Sequence, residues 1–368
     1  MMKKIKILYE GLSENLGGIE TFIYNLYRNM DKEKFEIAFL LDKEVKIPFQ
    51  REYENGGCKF YRIENRKSNY VKYLKELKEV YIYNKFDIIH INVMSYSIFE
   101  RITYACKYSD AKIIVHSHNG GFSKKCKYRK TKILDQVGRI FVKKYEKKII
   151  KVACGEKAGR FAFKNSEFTI FFNGIDISKF KFSVENRLKI RNSMNITDEE
   201  VVIGLVAMFN NPKNHTFLID IFNEYFKLNN NTKLMLVGDG YLKKAIEDKV
   251  RKLNLTKNVM FLGKRVDVNL LYSAMDVYVM PSLYEGLSIS LCEAQINGLK
   301  CYTSNDVDKK ANITGNVDFI SLKNSASIWA QKINENHIRD ERALEKVPEE
   351  FIDKNAYKRI FNFYKNLI

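Results

Sequence analysis

The chain has 368 residues, 45% of them hydrophobic and 13% aromatic, which exceeds what one core usually holds and is ample for two. Its six cysteines show neither CxxC spacing nor flanking metal-type histidines, so they read as reduced thiols, and no apolar run approaches the ~18–20 residues that cross a bilayer. The net charge of +19 is concentrated: residues 101–150 hold fourteen Lys/Arg against three Asp/Glu, a patch rather than a uniform coat.

Short β-branched runs alternate with longer amphipathic segments, the pattern of βα units and parallel sheets. The apolar run after Met1-Met-Lys-Lys is too short for a secretory signal and reads as a first strand, Ile5–Tyr9. Strands are then predicted at Phe35–Leu41, Asp87–Ile91, Lys112–Ser117, Lys151–Ala153 and Phe168–Phe172. Helical spacing runs through Glu20–Asn29, Val71–Tyr83, Phe99–Lys107 and Ile133–Ile149. Asn173-Gly174-Ile-Asp176 punctuates the middle as a turn and hinge, and a polar stretch, Ser183–Glu200, follows. The second half predicts strands at Val201–Ala207, Lys233–Val237, Asn258–Leu262, Asp276–Met280, Cys301–Thr303 and Phe319–Leu322. Its helices are Asn214–Lys227, Leu242–Leu253, Asn269–Ala274, Leu287–Ile296 and Ala326–Asn334. The expected fold is α/β: two Rossmann-like, doubly wound parallel-sheet domains facing across a cleft. The first spans 1–173 and the second 178–350, with the amphipathic segment 353–368 packing across the junction or joining the first domain. Ligands of such sheets bind at the carboxyl ends of strands, near the switch in strand order.

The most informative stretch is Pro281-Ser-Leu-Tyr-Glu285-Gly286-Leu287-Ser288-Ile289-Ser290-Leu-Cys-Glu293. An apolar strand leads into a turn, and a helix is expected to begin near Ser288. Glu285 then sits on the turn and Glu293 about one helical turn further, on the order of 10 Å away, roughly the span from sugar to ribose in a nucleotide-sugar. The helix start between them offers free N–H groups and partial positive charge to a diphosphate. Gly286 lets the backbone approach a ligand without a Cβ in the way.

Weaker candidates occupy other strand ends. Gly17-Gly18 opens a helix without GxGxxG spacing, which disfavours a dinucleotide site; backbone contact with a phosphate or sugar and a flexible loop are both open. His116 and His118 end a strand and are placed to bond ligand hydroxyls; structural histidines and zinc are the other readings, with no third zinc ligand evident. In Met208-Phe-Asn210-Asn-Pro212-Lys213, Pro212 suits a first helical turn and Lys213 offers a point charge to phosphate, or is merely solvated. Gly238-Asp239-Gly240 is a turn, and Gly263-Lys-Arg265 either meets a nucleobase edge or is a plain loop. Asp306-Val-Asp308 has the D-x-D form of some metal-diphosphate sites, a three-residue match in a polar loop. Lys124–Lys151 interleaves twelve cations with Ile133, Leu134, Val137, Ile140, Phe141, Val142 and Ile149. It reads as a basic amphipathic helix for an anionic membrane surface, against a solvated face; no nucleic-acid motif accompanies it.

Taken together, these stations resemble the retaining group 1 glycosyltransferases, bacterial capsular and exopolysaccharide branch, over nearly the whole chain. The matching stretches are Gly17-Gly18-Ile-Glu20, Val115-His-Ser-His118-Asn, Ala153-Cys-Gly-Glu-Lys-Ala158-Gly, Asn173-Gly-Ile-Asp176, Pro212-Lys213-Asn-His215, Leu236-Val-Gly-Asp-Gly240, Phe261-Leu-Gly263, and Pro281 through Glu293-Ala. The resemblance implies the GT-B fold and no metal or other cofactor. The substrates it implies are a nucleotide-sugar donor, UDP-linked by preference, and a glycan or undecaprenyl-linked acceptor at the cytoplasmic membrane face. Glu293 would hold the ribose hydroxyls and Lys213 the diphosphate. Glu285 and the backbone from Gly286 to Ser290 would hold sugar and phosphates, with Asn210, Gly238, Gly263 and Arg265 lining the donor side. His118, or less so His116, would contact the sugar, and Gly17 and Gly18 the phosphate and acceptor side. The leaving diphosphate would take the acceptor's proton, so catalysis is orientation plus charge stabilisation. Met208 stands where the family usually has Arg, and Ser288 and Lys300 replace its commoner residues; a nucleotide-sugar epimerase or an inactive, membrane-associated homologue are the alternatives.

Overall fold

The protein is described by a computed structural model covering residues 3–121, 129–285 and 287–368. It divides into two compact units, Met1–Gly174 with Asp353–Ile368, and Ile175–Ile352.

The first unit is a seven-stranded parallel sheet in the order β3-β2-β1-β4-β5-β6-β7. Its strands are β1 Ile5–Glu10, β2 Phe35–Asp42, β3 Lys59–Ile63, β4 Ile88–Val93, β5 Lys112–Ser117, β6 Ile149–Ala153 and β7 Thr169–Ile170. Successive residues of each strand point to opposite faces, so two cores form. Leu8, Leu40, Ile91 and Val115 join one, under the helices Tyr70–Tyr83 and Phe99–Tyr108. Ile7, Tyr9, Phe39 and Ile114 join the other, which is closed by the helix Gly18–Arg28 and by Tyr357, Ile360 and Tyr364 of the C-terminal helix Asp353–Leu367. The chain switches direction between β1 and β4, which puts the segments after Glu10, Val93 and Ser117 along one edge.

The second unit repeats the plan with six parallel strands, β10-β9-β8-β11-β12-β13. These are β8 Val201–Val206, β9 Thr232–Val237, β10 Val259–Phe261, β11 Val277–Met280, β12 Lys300–Ser304 and β13 Val317–Ile320. Here the switch lies between β8 and β11, so the loops leaving those strands are neighbours.

Several elements differ from expectation, among them the short helices Gln50–Asn55, Glu156–Phe163 and Ile177–Phe180, which the sequence reading does not include. The predicted helix Ile133–Ile149 is a helix over Arg129–Lys143, a 3-10 turn Glu146–Lys148, and then β6, because Ile149 pairs with Ile113 in the sheet. Strand β3 was not anticipated; as the sheet edge it lacks a continuous apolar run, and only Ile63 is fully buried. The polar stretch after Ser183 contains the helix Val184–Ser193, which has no apolar stripe to announce it. Ser183 caps it by accepting from Asn186 N at 3.2 Å, and Arg187 and Arg191 anchor it to the Asp276 carboxylate. Lys124 to Tyr128 of the basic segment, and Gly286, lie outside the described residues.

Candidate functional site

In the second unit the sequence order builds the site by joining two loops. After β8, Asn210 caps a 3-10 turn, Asn211–Lys213, its side chain accepting from Lys213 N at 3.3 Å with Pro212 in the first turn. Asn214 turns left-handed (φ 54°) and its amide donates to Pro281 O at 3.0 Å, while Leu283 N donates to Pro212 O at 2.7 Å. These bonds bring the loop after β8 against the loop after β11, and the Lys213 ammonium donates directly to Glu285. The Glu285 backbone also forms a parallel bridge with Val307. A cation is thus already fixed over one of the carboxylates singled out in the sequence, 72 residues away in the chain.

The helix Ile289–Ile296 follows. Its cap residue, Ser288, turns its hydroxyl to Met280 Sδ (3.4 Å) and to Ser290 Oγ (3.3 Å), leaving the first turn without a side-chain cap. Tyr278 donates to Ser290 Oγ at 2.9 Å; Leu287 is buried and Ile289 half-buried. One turn on, Glu293 is half-buried, with the Tyr272 hydroxyl 2.9 Å from its Oε2. Burial raises its carboxyl to about 7, against the opposing hydrogen bond of Tyr272 and the charge of Lys179. The arrangement offers uncapped N–H groups, two hydroxyls and two carboxylates along one strand–turn–helix, with an ammonium from the loop after β8.

The remaining residues on this side are placed less directly. Met208 is 42% exposed, an apolar side chain where the resemblance expects Arg. Arg265 does not stand in as a free cation: it binds both oxygens of Asp267 at 2.8 and 2.6 Å, on the surface. Gly238 (φ 136°) is required by packing, since a Cβ would fall 2.1 Å from Ala207 O; its N–H donates to Gly263 O at 2.8 Å. Gly263 faces open space at φ 65°. Asp308 caps a turn by accepting from Lys310 N.

In the first unit the two histidines part company. His116 is fully buried, its Nδ1 3.1 Å from His90 Nε2; His90 Nδ1 in turn lies 2.7 Å from the Tyr364 hydroxyl, which meets Tyr9. Burial drives both rings well below the usual histidine range. The expectation that His116 contacts a ligand is therefore corrected: it is a neutral core residue beneath Phe22. His118, just beyond the end of β5, is half-buried, and its Nε2 meets Asn92 Oδ1 at 2.8 Å. Gly17 precedes the helix Gly18–Arg28, and the Glu20 carboxylate ties the loop by accepting from Ser13 N (2.8 Å), Ser13 Oγ (2.9 Å) and Gly17 N (3.1 Å). The loop is braced, not slack.

Sequence reasoning missed Glu10, Asp42, Asn92 and Arg101. Arg101 bridges buried Glu10 (3.1 Å) and Asp42 (2.8 Å) at the ends of β1 and β2, and Tyr81 donates to Glu10 at 2.6 Å. Asp42, Asn92 and Arg101 line a cavity of about 240 Å³ with Gly11, Met94 and Ser95. The available signal was a charged residue closing an apolar strand. Among the described residues no group of three or more His, Cys, Asp or Glu is placed to hold a metal ion, and no helix is long and apolar enough to cross a membrane.

Comparison with known proteins gives two family matches: glycosyl transferases group 1 over residues 186–349, and glycosyltransferase family 4 over residues 16–179. The putative glycosyltransferase EpsF of Bacillus subtilis is 31% identical, with 89% of this chain and 86% of that protein covered. A UDP-Gal:alpha-D-GlcNAc-diphosphoundecaprenol alpha-1,3-galactosyltransferase of Escherichia coli is 24% identical over 82% of this chain and 80% of its own. Among solved structures, Anabaena Alr3699/HepE in complex with UDP and glucose superposes with a TM-score of 0.79 at 17% identity, covering 98% of this chain and 99% of that one. Sucrose-phosphate synthase of Thermosynechococcus elongatus gives 0.78 at 15%, covering 99% of each. These likenesses show the fold, two parallel-sheet α/β domains of the GT-B class.

Proposed function

From the premise that this chain belongs to the group 1 glycosyltransferases, we propose that it transfers a hexose, with retention and without a metal, from a UDP-sugar to a lipid-linked or polysaccharide acceptor of a bacterial surface glycan. The observation that carries this reading is the Lys213–Glu285 pair set beside the uncapped helix start at Ser288, with Glu293 one turn in. A diphosphate takes the helix N–H groups and Lys213, which exchanges part of its bond to Glu285 for phosphate oxygens. Glu285 is then released to a sugar hydroxyl, and Glu293 accepts from the ribose hydroxyls. Lys213 would supply the charge that a site with Met208 brings to a leaving diphosphate, which takes the acceptor's proton itself.

The chain's cytoplasmic, peripheral place at the inner membrane face is part of the same proposal. The helix Arg129–Lys143 leaves Ile133, Ile140 and Phe141 more than half exposed, a stripe at i, i+7 and i+8 flanked by Lys130, Lys143 and Lys144. Apolar exposure combined with this charge fits an anionic lipid surface.

Isothermal titration with UDP, GDP and ADP against wild type and Glu293→Ala tests the donor site: saturable UDP binding lost in the variant is expected, and no nucleotide binding by wild type removes the proposal. Incubation with UDP-hexoses and a lipid-linked acceptor, with EDTA present and the product anomer read by NMR, tests transfer, metal independence and retention.

A further inference from the structure

Asn92, the penultimate residue of β4, is 1% exposed, and its side chain bridges two strands. Its Nδ2 donates to the Glu10 backbone carbonyl at 2.9 Å, and its Oδ1 lies 2.8 Å from His118 Nε2. A peptide carbonyl only accepts, so the amide NH₂ must face Glu10 and the amide oxygen must face the imidazole. An amide oxygen also only accepts, so Nε2 must carry the ring proton; the other tautomer would oppose two lone pairs at 2.8 Å. We infer that Asn92 is a positioning residue that fixes His118 as the Nε2–H tautomer and turns Nδ1, as a hydrogen-bond acceptor, to the ligand.

Three further observations agree. Burial holds the His118 ring neutral, its titration lowered to about 3, so only one ring nitrogen is protonated. Among the described residues no protein group bonds His118 Nδ1, and the ring is half-buried rather than sealed. The Asn92 backbone packs tightly against the residue that follows β1: its carbonyl oxygen comes so close to Gly11 (φ 85°) that a Cβ there would sit 2.1 Å away. A flipped amide would set its oxygen against the Glu10 carbonyl and its NH₂ against the ring.

The chemical consequence is a rule about the ligand. The atom meeting Nδ1 must carry a hydrogen, which selects a sugar hydroxyl over an ether, carbonyl or phosphate oxygen. That consequence rests on reading His118 as a sugar contact; the tautomer does not.

Two-bond ¹H–¹⁵N correlation spectra of the labelled full chain report the tautomer directly. The expected result is a protonated Nε2 and a pyridine-type Nδ1 in the unliganded protein, with the Nδ1 signal moving when UDP-glucose is added. Asn92→Leu is expected to mix the tautomers and to lower kcat/KM by roughly tenfold, the loss of one hydrogen bond's selectivity. Asn92→Asp, which still accepts from Nε2–H, restores the tautomer even though it gives up the bond to Glu10, and so separates positioning from folding. Combining Asn92→Leu with His118→Ala should cost no more than His118→Ala alone. A wild-type spectrum with Nδ1 protonated, an unchanged tautomer in Asn92→Leu, or an additive double variant overturns the inference and leaves the transferase reading intact. An Nε2–H tautomer in a protein that binds no UDP-glucose supports the positioning and refutes the donor reading instead.

Discussion

Glu293 links the site's chemistry to the protein's stability, and Glu293→Gln tests both at once. Burial lifts its carboxyl from the ordinary 4.5 to about 7. With a midpoint there, about a tenth of the molecules are ionised at pH 6 and about nine tenths at pH 8. If the carboxylate form accepts the ribose hydroxyls, affinity for a UDP-hexose, whose diphosphate does not titrate in this window, should rise up to ~10-fold between pH 6 and 8. Glu293→Gln should bind about 10–150-fold more weakly at pH 8, the equivalent of ~1.5–3 kcal/mol for a hydrogen bond to a charged group. The deficit should shrink at pH 6, where wild type is mostly protonated. Stability runs the other way. The folded-state pKa is raised, so this group's contribution is complete below about 4.5 and is lost as pH rises through about 7. Removing the carboxylate should therefore stabilise the unliganded protein above pH 7, by up to ~3 kcal/mol if the side chain were wholly dry and by less for this half-buried one. Calorimetric titrations at pH 6 and 8 with parallel denaturant melts read both effects. Equal affinities of the two proteins at pH 8 refute the ribose role, and a pH-independent wild type refutes the titration argument.

Three other outcomes are expected. Lys213→Met should weaken UDP binding at least about tenfold and, by leaving Glu285 unpaired, cost roughly 1 kcal/mol of stability, which Lys213→Met/Glu285→Gln recovers in a double-mutant cycle of denaturant melts. His116→Leu should lower the unfolding free energy by ~1–3 kcal/mol, through the orphaned His90 nitrogen, with little change in the donor KM; a selective rise in KM would return His116 to the binding site. Neutralising Lys143, Lys144, Lys147 and Lys148 should abolish flotation with anionic liposomes, at ~1 kcal/mol per charge, and equal flotation of both proteins contradicts the membrane reading.

The sheets were legible because buried parallel strands are written as continuous β-branched runs, as in Ile88–Val93 or Val201–Val206, and each strand end then points to a loop that can bind. Legibility failed where an element draws its stability from a distant partner instead of its own pattern. The helix Val184–Ser193 is held by Asp276, some 85 residues on, and β3 by its neighbour β2. The site divides in the same way. Glu285, Glu293 and the helix between them share one local strand–turn–helix, so their spacing was readable, as was Lys213 as a cation, whereas the pairings that set their chemistry were not. Tyr272, opposing the rise of the Glu293 carboxyl, arrives from 21 residues upstream, Lys213 from 72 upstream, and Asn92 reaches His118 across 26. Strand order supplies these meetings, because it places the ends of β8 and β11, and of β1, β4 and β5, side by side. For the same reason His116 and His118 looked equivalent in sequence: alternation puts both on one face and Phe22 packs near both rings, but His90 bonds the first within the sheet, and the strand ends before the second. How completely each of two matching side chains is enclosed is decided by the packing around the strand end, which spacing along the chain does not encode.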